Sequence, residues 1–357
     1  MRKPVVVLTG VDPEALDVAM LGLTLDLPGA VAVRHHIDPV TQVLTRVVSD
    51  ATGLVARVET DLAHACVGCA LREDVLPVLE QLAADDRWRA IVLCLPVAAE
   101  ADQLRHVLSR DPRLARRLRL SAVVAVVSGE RTVDDLLGDD RLADRGRHTS
   151  DDDERGVGEA ACAQVEAADW VLVDGEPEAD ATALVRALAR PDARVVHGVH
   201  RLDAVEVAAG RHEHRRAGEW RLPTAETPVE PLAGPAWRVV LTSERAFHPD
   251  RLMDGIEVLG GGLHRSRGCF WVPTRSGVLQ EWSGAGGHLS IGSHRDWGRQ
   301  RPSTRLVVTG LGPVPPELAP GFEDLLLTPV EAARGRAAWR VLEDGLEPWL
   351  GDICGAA

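Results

Sequence analysis

Residues 5–14 read Val5-Val6-Val7-Leu8-Thr9-Gly10-Val11-Asp12-Pro13-Glu14. The β-branched run is a strand, and the three residues at the end start a helix. Asp12 suits the N-cap, Pro13 the first helical position, and Glu14 the positive end of the helix dipole. The same alternation recurs along the chain. Apolar runs at 30–33, 90–95, 122–127, 170–173 and 193–196 are separated by amphipathic stretches at 75–82, 98–108 and 182–189. Strands apolar on both faces and divided by helices predict a parallel sheet covered on each side. The expected class is therefore α/β, a doubly wound, mostly parallel sheet with right-handed crossovers.

The prolines Pro223, Pro228, Pro231 and Pro235 mark residues 221–236 as a linker. This divides the chain into domains at 1–220 and 237–357. In the second, strands are expected at 237–242, 269–272, 279–283 and 306–309 and helices at 250–258 and 329–342, a smaller α+β unit. Residues 134–159, rich in Asp, Arg and Gly, read as a solvated loop.

A strand ending in Thr9-Gly10 before a helix is also where a P-loop cradles phosphate. Ala15, Leu16 and Asp17 stand where that loop needs Gly-Lys-Ser/Thr. Lys3, the only lysine, precedes the strand and cannot substitute. Gly10, Ala15, Leu16 and Asp17 are thus the positions of a degenerate nucleotide site. Conventional nucleotide hydrolysis is not expected.

The chain has 357 residues and a net charge of −14, which argues against broad nucleic-acid binding and against a DNA partner. No run approaches the ~20 apolar residues of a membrane span, and no signal-peptide pattern is visible. The expected location is the cytoplasm, where the cysteines stay reduced. Cys66-x-x-Cys69 then reads as metal or redox chemistry. Two thiols on one turn suit Zn²⁺, which takes about four N/S ligands. His64, His35 and His36 are candidate further ligands, the histidine pair being expected at an exposed strand end. Inert thiols and a redox pair are the competing readings.

The remaining cysteines, Cys94, Cys162, Cys269 and Cys354, read as buried free thiols. His248-Pro249 reads as a helix start, and Trp271 and Trp282 as core. Residues 237–301 carry nine arginines against six acids. Arg265, Arg267, Arg275 and Arg295 form either a basic face for phosphate or an acidic partner, or a solvated strand face.

The segment Ala65-Cys66-Val67-Gly68-Cys69-Ala70-Leu71-Arg72-Glu73-Asp74 resembles the Gly-Cys-x-Cys-Cys-x-Leu-Arg-x-Asp motif of the CobW-type metallochaperone GTPases, with Gly68 for the middle cysteine. Phe247–Leu252, the 264–271 segment, the 282–289 stretch, Trp297, 325–328 with Glu331, and 344–349 are similar to that family's C-terminal domain. The resemblance implies a P-loop GTPase fold with a CobW C-terminal domain. Its nucleotide motifs are altered, which makes GTP a doubtful cofactor: Cys94-Leu95-Pro96-Val97 replaces Glu-Thr-Thr/Ser-Gly, and Asp174-Gly175-Glu176-Pro177 replaces Asn-Lys-x-Asp.

The degenerate P-loop and Cys-x-x-Cys also resemble an actinobacterial branch associated with zinc starvation. That resemblance implies a GTPase-like adaptor recruiting a ribosome hibernation factor to the small ribosomal subunit under zinc limitation, and the altered nucleotide motifs point to a pseudo-GTPase rather than an enzyme. Zinc at Cys66 and Cys69 would act as its sensor. The alternatives are a zinc metallochaperone that binds GTP and a thiol redox protein.

Overall fold

The structure, a computed structural model, describes residues 2–353 except 65, 226–230 and 233. Part of the expected linker and all of Cys354 lie outside the described residues.

The first sheet has eight strands: β1 (Lys3–Gly10), β2 (Ala30–Asp38), β3 (Val43–Asp50), β4 (Gly53–Asp61), β5 (Ala90–Cys94), β6 (Leu118–Ser128), β7 (Trp170–Asp174) and β8 (Arg194–His197). Their order is β4-β3-β2-β5-β1-β6-β7-β8, parallel from β2 to β8. Val5 and Val7 face one apolar cluster while Val6 and Leu8 face another, so β1 is buried on both faces. This is the expected α/β architecture.

The antiparallel pair β3 and β4 was not expected. Residues 43–61 mix charged and apolar side chains because β4 is an edge with most residues exposed. Its turn is fixed locally: Asp50 Oδ1 accepts from the Thr52 N–H (2.8 Å) and hydroxyl (2.6 Å).

The expected solvated loop at 134–159 holds for 138–156, which forms no helix or strand and is mostly exposed or half-buried, and is corrected at its ends. Helices Thr132–Leu137 and Val157–Ala167 take both of its ends. Between them some of the charges pair within the protein. Arg145 holds Asp135 and Asp140, and Arg155 lies 2.7 Å from Asp153. These pairs tie the segment down, while Asp139, Asp144, Asp151, Asp152 and Glu154 stay exposed.

The second sheet is antiparallel: β9 (Ala236–Ser243), β10 (Arg265–Phe270), β11 (Val278–Ala285), β12 (His288–Asp296) and β13 (Thr304–Leu311), ordered β12-β11-β10-β13-β9. Helices Pro249–Gly260 and Leu318–Leu325 pack around a core containing Phe247, Phe270, Trp282 and Phe322. His248 is the N-cap of the first of these helices, as expected. The helix expected at 329–342 is only a turn at Pro329–Ala332, closed by a Thr328/Glu331 capping box, and a 3₁₀ turn at Arg336–Trp339. Gly335 between them has φ +72° and ends the helical path.

Strand β10 begins four residues before its expected start, and the reason corrects the basic-face reading. Arg265 and Arg267 are buried, 1% and 3% exposed, and both sit on Glu166 of the Val157–Ala167 helix. Arg275 is likewise inside, 2.9 Å from Asp344. Only Arg295 is on the surface. The acidic partner of these arginines is the protein itself. Among the described residues, no helix is long and apolar enough to cross a membrane.

Candidate metal site and the turn after the first strand

Cys66 is the N-cap of the short helix Val67–Ala70, and its Sγ accepts the Cys69 N–H at 3.3 Å. This geometry puts both sulfurs on the first turn. Cys66 is half-buried, whereas Cys69 is 6% exposed and packs with Ile37, Leu44 and Leu62. The hydrogen bond to Cys66 and burial raise the Cys69 thiol above its ordinary pKa, against the nearby positive charge of Arg72. The Arg72 guanidinium reaches the Cys69 sulfur at 3.4 Å. Gly68 is exposed, and a Cβ built on it would meet only the Cys66 sulfur within 4 Å, at 3.9 Å.

The helix then widens into a π-turn at Leu71–Val75, a form often found at functional sites. Asp74 on this turn is 4% exposed and accepts from His35 Nε2 (2.9 Å) and Arg46 Nη1 (2.5 Å). Burial alone would raise its carboxyl, but these two hydrogen bonds hold it below the ordinary value.

His35 is therefore not at an exposed strand end. It lies inside β2 at 0% exposure, committed to Asp74, while His36 beside it faces solvent. Period-2 alternation sends the two rings to opposite faces. His64 is exposed next to the cysteines, and its carbonyl accepts the Cys66 N–H. Among the described residues, no group of three or more His, Cys, Asp or Glu is gathered to hold one metal ion. What the fold brings together is the thiol pair. Cys94, Cys162 and Cys269 are buried and unpaired, as expected.

The turn between β1 and the helix Pro13–Asp26 contains just Val11 and Asp12. Asp12 Oδ1 accepts from the backbone N–H groups of Glu14 (2.9 Å) and Ala15 (3.2 Å), two donors that a helix N-terminus would offer an anion. Arg147 donates to the Val11 carbonyl at 2.5 Å. The Gly10 carbonyl accepts from the Ala98 N–H at 2.9 Å. Ala15 and Leu16 are buried in the core at 4% and 0% exposure. Asp17 pairs with Arg34 at 2.9 Å, and Arg34 also donates to the Cys94 sulfur at 3.0 Å. The four positions Gly10, Ala15, Leu16 and Asp17 thus serve packing and a surface ion pair. Three residues that sequence reasoning did not single out, Arg34, Arg46 and Arg147, supply much of the order here. Their only signal was an arginine-rich composition.

Two family models match the chain. The CobW/HypB/UreG nucleotide-binding domain matches residues 42–199, and the cobalamin synthesis protein cobW C-terminal domain matches 236–326. The Gly10–Asp17 turn precedes the first match. The zinc chaperone Rv0106 of Mycobacterium tuberculosis is 32% identical over 315 residues, 83% of this chain and 74% of that protein. Zinc-regulated GTPase metalloprotein activator 1 of Dictyostelium discoideum is 21% identical over 257 residues, 66% of this chain and 54% of that protein. The crystal structure of Zn(II)-bound YjiA GTPase from E. coli aligns over 91% of this chain and 99% of its own, at 16% identity and a TM-score of 0.37.

Proposed function

This chain belongs to the CobW family, and from that premise we propose that it is a zinc-handling chaperone working without conventional GTP hydrolysis. The metal is its cargo, held at Cys66 and Cys69. The carrying observation is the thiol pair on one helical turn, with one sulfur half-exposed and an open position at Gly68. Two thiolates leave about two of zinc's usual four positions unfilled. An incomplete ligand set suits a carrier that must give its ion up, with His64 or a client protein completing the coordination. The relative named as a zinc chaperone supports the same reading.

The self-capped turn supports the second half of the proposal. A phosphate placed there would have to displace the Asp12 carboxylate and would meet Glu14 and Asp17 nearby. Recruitment of a ribosome hibernation factor, which the branch resemblance implies, draws no support from the two relatives described above, whose names concern zinc.

The test is zinc competition against a chromophoric chelator, using the full reduced chain. One zinc per chain, lost in Cys66→Ser/Cys69→Ser, is the expected result. Equal zinc uptake by the two proteins would overturn the assignment.

A further inference from the structure

We propose that a cleft at the opposite edge of the first sheet binds a small organic phosphate. A cavity of about 400 Å³ is lined by Arg2, Arg105, Arg119, Arg211 and Arg215, with Glu213 the one carboxylate among its described lining. Its volume is in the range of small-molecule sites. In a chain of net charge −14, this concentration of positive charge in a concavity focuses field on an anion. The place is new. Arg2 precedes β1 and Arg119 opens β6, whereas the nucleotide turn of the fold class follows Gly10, at the far end of β1. At roughly 3.3 Å per residue, the eight residues of β1 separate the two sites by about 25 Å.

The lining arginines divide into held and available groups. Arg119 donates to the carbonyls of Ala208 (2.9 Å) and Ala209 (3.3 Å), and Arg105 is fixed on Asp102 at 2.9 Å. Arg2 has one long contact, to the Ala115 carbonyl at 3.4 Å, and Arg215 a loose one to Glu219 at 3.5 Å. Arg211 has no ion pair or hydrogen bond among the described residues. Guanidinium forks left over in this way match phosphate oxygens. His214, also on the lining, has a buried Nδ1 without a hydrogen-bond partner.

Leu108, Leu114, Leu118 and Leu120 line the same cavity and would take the uncharged body of the ligand. A second cavity of about 420 Å³ shares Arg105, His214 and Arg215 and extends to Arg295 on β12, but Asp102 and Glu219 also line it, so the phosphate is placed in the first cavity.

Isothermal titration of the full chain with inorganic pyrophosphate, ADP and glucose 6-phosphate tests the proposal. Saturable binding of at least one probe is expected, weakened tenfold or more by Arg211→Glu/Arg215→Glu and unchanged by Cys66→Ser. Both reversed arginines are exposed, so circular dichroism should show the fold intact. Tighter binding of ADP than of pyrophosphate would place its nucleoside on the apolar lining, and equal binding would mean that phosphate alone is read. No saturable binding at millimolar probe, or binding that survives the charge reversal, would overturn the site.

Discussion

Arg265 forks onto Glu166 across the two domains, its Nε and Nη2 each 2.9 Å from a different carboxylate oxygen. Arg267 Nε approaches the same carboxylate at 3.1 Å. One acid of the first domain thus pairs with two arginines of the second, all three buried, and leaves one positive charge uncompensated by it. Burial pulls Arg267 down to about 10 even with Glu166 beside it. Removing one partner of a buried ion group leaves uncompensated charge, at a cost of about 3–5 kcal/mol. Glu166→Ala should lose stability of that order in urea unfolding. A loss below about 1 kcal/mol would mean that the pair is not what joins the domains.

Gly68 is where a third sulfur would fit without a clash. Gly68→Cys should bind zinc more tightly than the parent, by more than the ~10–100-fold typical of changes outside the ligand shell. Chelator competition measures it. Unchanged affinity would mean that the thiols do not share an ion.

The turn after β1 should be indifferent to nucleotide. A tight ligand at 100-fold excess over its Kd adds about 2.7 kcal/mol, a plain rise in melting temperature. GTP with Mg²⁺ is expected to give none. Asp12→Ala should cost about 1 kcal/mol, as loss of an N-cap does. A GTP-induced shift abolished by changes around Asp12 would restore the nucleotide site.

His214 gives the protein a measurable pH dependence. Burial, then the positive neighbours His212 and Arg105, lower its pKa to about 4, against the opposing pull of Asp102 and Asp169. The folded state keeps the ring neutral, whereas the unfolded chain takes up a proton near the ordinary value of ~6.5. Its contribution to stability is therefore complete above pH 6.5 and is lost as the pH falls from 6.5 to about 4. His214→Gln should flatten the stability profile in that window, read by denaturant midpoints. An unchanged slope would place the acid sensitivity elsewhere.

The strands buried on both faces were legible because nothing but apolar side chains suits such a place, and β1 shows it residue by residue. The helix start at Asp12-Pro13-Glu14 was equally plain, since capping is local chemistry. The charged segments were not. Arg265 and Arg267 read as surface because their partner, Glu166, is 99 residues away from Arg265 in sequence. His35 read as exposed because its acceptor Asp74 lies 39 positions on. Of the candidate site, the cysteine pair could be seen in the spacing. The closure of the neighbouring turn by Arg147 could not, because that arginine stands 136 residues from the carbonyl it holds.

The carboxylate that caps the first helix is part of the chain, and so it is there at every moment. GTPases keep time with a diffusible cap, as the bound triphosphate orders their switch segments and its hydrolysis lets them go. On the function proposed above, a protein that supplies its own cap has no such clock to wind. On the zinc reading, its behaviour follows the supply of free metal: graded, reversible and at equilibrium, with no triphosphate consumed for each ion it passes on.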